Sequence, residues 1–237
     1  MKISTILFDL DGTLLPMYQE TFIKGYFGGL VRKLNPHGYD KDALIGAIWS
    51  GTKAMVLNDG HETNEKAFWN VFCKTFGEEA LNDIPLFDEF YANDFCRVRD
   101  YCGFSPEALE TVKKCKSLGF RVALATKPLF PSTATEQRIA WAGLSPLDFE
   151  LFTTYENSHF CKPNLNYYKE VMEKLNVSPE ECLMVGNDVS EDMIASELGA
   201  KVFLLTNCLI NKENKDISAY PNGDFEDLWK YIDSIKS

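Results

Sequence analysis

Two carboxylates one residue apart, Asp9 and Asp11, end the apolar run in TILFDLDGTLL (5–15) and are followed at once by Gly12 and Thr13. Residues i and i+2 of a strand share a face, so both acids point the same way as the chain runs into a loop. Their repulsion calls for a cation, a shared proton, or both. A solvated strand end does not suit so apolar a lead-in. A calcium loop with Gly12 at its sixth place would need an acid where Leu7 stands and a Glu where Tyr18 stands, and it has neither. What remains is a Mg²⁺-assisted site in which one carboxylate attacks and the other handles a proton. Such a site needs a lysine, a hydroxyl donor for the transferred group and further acids.

In a doubly wound sheet those parts belong at the carboxyl ends of other strands. Thr126 ends a second apolar run in ALATKP, Lys162 follows a third in FCKPNLNYY, and MVGNDVSEDMIA supplies Asp188 and Asp192 after a fourth. Each fragment alone is weak, since a strand-end threonine or a helix-start lysine is commonly structural. The ordered set is what points to chemistry.

The elements that must position these residues are legible as five β-rich runs, 3–9, 120–126, 149–153, 181–186 and 201–205, continuously apolar more than alternating, as parallel strands covered on both faces should be. From residue 105 they alternate with helical segments at 105–118, 132–143, 163–175 and 190–199, the first opened by Ser105-Pro106 and closed by Gly119. This rhythm predicts an α/β fold with a doubly wound parallel sheet. Between 16 and 103 the pattern changes to helical spacing only, in 18–34, 40–57 and 63–77, so an all-helical block is expected after the first strand. Its aromatic stripes, Phe22, Tyr26, Phe27 and Phe68, Trp69, Phe72, read as packing. The last helix is expected in FEDLWKYIDSIK.

The totals bound the partners. With 24 Lys and Arg against 35 Asp and Glu the formal net charge is −11, which disfavours nucleic acid. A metal and a lysine can still reverse the sign of a small pocket. No apolar stretch nears the ~20 residues that span a bilayer, and the start of the chain has no leader pattern. The expectation is a cytoplasmic protein with no membrane partner. Seven cysteines without a CxxC pair suggest reduced thiols, and His37, His61 and His159 are too scattered for a metal cluster. Lys24, Arg32 and Lys53 read as a solvated face, and 127–138, with two prolines, as a rim of the site entrance.

Through DLDGT, the strand-end Thr, Lys-Pro and the acidic fourth motif, the sequence resembles the haloacid dehalogenase (HAD) superfamily, and within it the phosphatases that carry a helical cap. The resemblance implies a HAD-like Rossmannoid core at 1–15 and 104–237 with an inserted cap at 16–103, and a Mg²⁺-dependent phosphatase acting on a small phosphorylated metabolite. It implies that Asp9 is the nucleophile forming an aspartyl-phosphate and a metal contact, and that Asp11 is the general acid and base with its carbonyl on the metal. Thr126 and Lys162 would hold phosphoryl oxygens, Asp188 would bind Mg²⁺, and Asp192 would do so directly or through water. Two departures stand out. Lys127 follows Thr126 where the family often has Asn. Gly186-Asn187-Asp188 offers two candidates for one metal position: the interval to Asp192 selects Asp188 in one variant of the motif and Asn187 in the other, and the anionic oxygen favours Asp188. A phosphomutase of the β-phosphoglucomutase type and a non-catalytic binding protein are the alternatives. Dehalogenation itself has no use for Asp11.

Overall fold

The computed structural model describes residues 2–236. Strands β1 (Thr5–Phe8), β2 (Arg121–Leu124), β3 (Cys182–Gly186), β4 (Lys201–Leu205) and β5 (Asn222–Gly223) form a parallel sheet in the order β2-β1-β3-β4-β5. Side chains along each strand alternate between two hydrophobic clusters. Ile6 and Phe8 of β1, Val122 and Leu124 of β2, and Leu183 and Val185 of β3 face one, while Leu7, Ala123 and Met184 face the other. Burial on both faces explains why these runs lack polar alternation.

Helices α1 (Gln19–Leu34), α2 (Lys41–Val56), α3 (Asn64–Phe76) and α4 (Ile84–Glu89) follow β1, and α4 runs on through a π-turn and 3₁₀ turns to Tyr101 before α5 (Pro106–Ser117) returns the chain to the sheet. Asp40 caps α2 by accepting from the amides of Asp42 and Ala43, and Thr63 caps α3 through the amide of Lys66. The buried aromatic residues of this helical insertion belong to the same cluster as one face of the sheet, so one continuous core joins the two. Helices α6 (Ser132–Trp141), α7 (Leu165–Leu175) and α8 (Phe225–Lys236) complete the fold. Among the described residues no helix is long and apolar enough to cross a membrane. All seven cysteines are free, with Cys115, Cys161 and Cys182 buried and Cys96 exposed.

Two expectations need correction. The run 149–153 lies along β2, with Glu150 N donating to Val122 O (2.8 Å) and Leu124 N to Leu151 O (2.8 Å), yet it makes only an isolated bridge at Phe152 and is not a strand. A 3₁₀ turn, Pro146–Asp148, enters it, and the Asn157 side chain accepts from Thr154 N at its end, so the extended stretch is cut short on both sides. The fifth strand is instead Asn222–Gly223, whose polar sequence carries no β signal. The helix expected at 190–199 is a shorter 3₁₀ helix, Met193–Leu198.

Candidate active site

The register pairs Phe8 with Leu124 on one side and Val185 on the other, so β1, β2 and β3 run out at one level where the strand order changes direction. Asp9 is the first residue past β1. Its amide donates to Val185 O (2.9 Å) and the Phe8 carbonyl accepts from Ala125 N (2.7 Å), which pins the backbone between both neighbours. Its side chain is buried and meets Lys162, whose Nζ lies 2.8 Å from Asp9 Oδ1 and 2.6 Å from Asp192 Oδ1. Asp9 is pushed up to about 7: burial raises it most, Lys162 pulls it down, and Asp192 and Asp11 push it up again. Burial alone would lower the Lys162 ammonium, but Asp192 and Asp9 hold it well above its ordinary value. Thr13 Oγ1 lies 3.1 Å from Asp9 Oδ2 and 3.0 Å from Asn187 Oδ1, sharing its one proton between them.

Asp11 follows a different path. Its Oδ2 accepts from Arg138 on α6, a fully buried guanidinium that also donates to Thr135 Oγ1 (3.2 Å) and stacks 4.6 Å from the centre of the Phe130 ring. Asp11 Oδ1 is buried without a hydrogen-bond partner. So is Thr126 Oγ1, although the Thr126 carbonyl is held firmly by the hydroxyls of Thr153 (2.6 Å) and Tyr167 (2.8 Å). Buried polar atoms are nearly always paired, so two open ones at the mouth of one sheet mark a place for a ligand.

Asn187, just past β3, donates to Cys208 O (2.6 Å), which turns its carbonyl oxygen toward Thr13 and Asp9. Asp188 Oδ1 accepts from the amides of Ser190 (2.8 Å) and Glu191 (3.0 Å), and Asp192 Oδ2 accepts from Asp188 N (2.9 Å). The structure therefore brings Asn187 next to the nucleophile candidate and uses Asp188 to shape the loop, while both oxygens of Asp192 are engaged. Two glycines make this closeness possible. A Cβ on Gly12, at φ +90°, would lie 2.3 Å from Asn187 Nδ2, and one on Gly186 would lie 2.1 Å from Asp192 Oδ2. Lys127 is ion-paired with Glu191.

Among the described residues no three His, Cys, Asp or Glu side chains form a metal cage. Mg²⁺ does not need one, since it keeps waters and takes one or two carboxylates with substrate oxygens. Asp9, Asp11, Asn187, Asp188 and Asp192 line one cavity of about 440 Å³. Its hard oxygen donors, and an Asp9 carboxyl that Lys162 alone does not fully compensate, fit a small divalent cation.

Sequence reasoning missed Arg138. The signal was present, because Arg138 falls on the stripe that α6 buries with Ala134, Thr135 and Ile139, and a guanidinium on an apolar stripe must have a charged or polar partner. It also missed Asn64, a fully buried amide at the start of α3 that donates to Pro128 O (3.3 Å) and Phe160 O (3.2 Å), beside the Lys162 loop. Lys24, Arg32 and Lys53 are exposed, and none lines the cavity.

The sequence matches the family of haloacid dehalogenase-like hydrolases over residues 3–207. Pyrophosphatase PpaX of Bacillus thuringiensis (strain Al Hakam) is 26% identical over 204 residues, covering 85% of this chain and 82% of that protein. Among solved structures, 2-haloacid dehalogenase from Pseudomonas syringae pv. Tomato DC3000 shares the fold with a TM-score of 0.64 at 15% identity, over 98% of this chain and 99% of that one. The putative HAD-hydrolase YfnB from Bacillus subtilis, in a magnesium-bound form, does so with a TM-score of 0.57 at 18% identity, over 98% and 100%. With the parallel sheet, the strand-end aspartates and a family match over most of its length, the chain belongs to the haloacid dehalogenase-like hydrolases.

Proposed function

We propose that this hydrolase is a Mg²⁺-dependent phosphatase of a small phosphorylated metabolite, working through an aspartyl-phosphate on Asp9. The observation that carries this reading is the contact of Lys162 with Asp9 beside two unpartnered polar atoms, Thr126 Oγ1 and Asp11 Oδ1. The pyrophosphatase relative and the magnesium-bound structural relative support it.

In this mechanism an Asp9 carboxylate oxygen attacks phosphorus and the bond to the leaving oxygen breaks. Asp11 gives that oxygen a proton, then takes one from the water that hydrolyses the acyl-phosphate. Thr126 donates its free hydroxyl to a phosphoryl oxygen, and Lys162 offsets the charge gathered around Asp9. Asp9, the Asp11 carbonyl and the oxygens of Asn187 and Asp188 would hold Mg²⁺, which when bound neutralises phosphoryl charge and orients the group. The helical block serves as the cap over the site and, with reduced cysteines, the setting is cytoplasmic.

The test is a screen of phosphorylated metabolites in Mg²⁺ that reads both free phosphate and isomerised product, with Asp9→Asn as the blank. The expected result is phosphate release that falls at least about 1000-fold in the variant. Comparable release by Asp9→Asn, or isomer formation in place of phosphate, rejects the reading.

A further inference from the structure

The cavity that Asp9, Asp11 and Thr126 line is walled by Phe22, Phe27, Trp49, Phe68, Trp69 and Phe130. All six belong to ring pairs packed on one another: Phe27 with Trp49 at 5.5 Å between centroids, Phe68 with Trp69 at 5.3 Å and Phe22 with Phe130 at 6.0 Å. The wall is thus preorganised and does not depend on a ligand to order it. Trp49 is 47% exposed although it lines the cavity, so a large apolar surface stands open beside the reacting groups.

Polar recognition is scarce on this wall. Among the described residues the lining cations are Lys127 and Lys212; Lys127 is paired with Glu191 and Lys212 is exposed. A second phosphate or a carboxylate on the substrate would therefore enter an aromatic chamber with no buried cation to receive it. The Tyr26 and Tyr91 hydroxyls bond each other at 2.8 Å, which engages one of their two protons, and beyond them the aromatic wall offers Gln19, Thr52, Tyr155 and the unpartnered Trp69 Nε1 as polar groups. A polyhydroxylated sugar would find few partners.

We propose that the leaving group accepted here is an apolar, ring-bearing alcohol, so that the substrate class is a phosphate monoester of such an alcohol and not a sugar phosphate, a phosphorylated carboxylic acid or pyrophosphate. This deepens the phosphatase reading and rests on it. Aromatic walls hold a ring by offset and edge contacts, and the volume suits a ring on a short tether with the phosphoryl group at Asp9.

The experiment compares n-propyl and 3-phenylpropyl phosphate, whose leaving alcohols are closely matched in acidity, with glycerol 3-phosphate, whose alcohol is the better leaving group, and with 2-phosphoglycolate, pyrophosphate and p-nitrophenyl phosphate, on the full chain in Mg²⁺. Burying the phenyl group predicts a kcat/KM for 3-phenylpropyl phosphate about 30-fold above the propyl and glycerol esters, with pyrophosphate and phosphoglycolate lower still. Trp49→Ala, at an exposed position that leaves the core intact, should cut the phenylpropyl-to-propyl ratio about 10-fold. Phosphate release from glycerol phosphate, phosphoglycolate or pyrophosphate equal to or faster than from the phenylpropyl ester overturns the inference and leaves the phosphatase reading standing. A phenylpropyl preference that survives Trp49→Ala unchanged also overturns it, because the aromatic wall would not be its source. No release from any ester, p-nitrophenyl phosphate included, overturns the phosphatase reading and this inference with it.

Discussion

Asp11 is the residue whose surroundings differ most from what its motif alone implies. In the proposed mechanism Asp11, as general acid and base, carries a proton in one half-reaction and gives it up in the other, and here its carboxylate is tied to a buried arginine. The guanidinium compensates the charged carboxylate, which under that proposal serves the second half-reaction, where Asp11 would take a proton from water. Replacing it leaves that carboxylate uncompensated. Arg138→Met should therefore slow breakdown of the aspartyl-phosphate about 10-fold relative to its formation, a difference of about 1.4 kcal/mol. The phosphoenzyme should accumulate in rapid-quench measurements, and Arg138→Lys should restore part of the rate. Equal slowing of both steps would assign Arg138 a purely structural part.

At the scale of elements, the active loops are held by the start of α3. Asn64 accepts from Asn58 Nδ2 (2.9 Å) while donating to the carbonyls of Pro128 and Phe160, and its own amide donates to Ser158 O (2.8 Å). One buried side chain thus ties the helical insertion to the loop after β2, which carries Thr126, and to the loop that carries Lys162. Removing it leaves buried carbonyls without donors, at about 1–3 kcal/mol for each group left unsatisfied. Asn64→Ala should lower stability by about 3 kcal/mol in urea titration and reduce turnover as well, because both loops lose their anchor. A variant of unchanged midpoint would show that the α3 junction does not carry this load.

Taken whole, the molecule is a sheet whose one face and whose helical insertion share a single hydrophobic cluster, with a charged centre at the seam. At that centre the Asp9 carboxyl is pushed up to about 7, chiefly by burial, with Lys162 pulling it down and the neighbouring Asp192 and Asp11 raising it again. A cation that binds the folded state alone stabilises it by mass action, by about 2.7 kcal/mol at a hundredfold excess over Kd. Mg²⁺ should raise the Tm of the chelator-treated protein, and Asp9→Asn should abolish most of that rise while leaving the metal-free Tm nearly unchanged, since it also relieves repulsion with Asp192. A Tm indifferent to Mg²⁺ into the tens of millimolar would remove the metal from the scheme.

The order of elements and the residues at the strand ends were readable without coordinates. Apolar runs buried on both faces, and the acids and threonine placed just beyond them, are local signals that depend on nearest neighbours in the chain, whereas Lys162 sits in a loop well past a run that is not a strand. The weak edge was not readable: 149–153 has strand composition but is cut short by its flanking turns, whereas Asn222–Gly223 has none and still pairs with β4. Nor were the partnerships of Asp11 with Arg138, 127 residues away, and of Asn64 with the Lys162 loop. Those contacts arise only when separate segments pack, because a buried charge or amide takes whichever partner the fold brings within hydrogen-bonding distance, and the chain alone does not specify that distance.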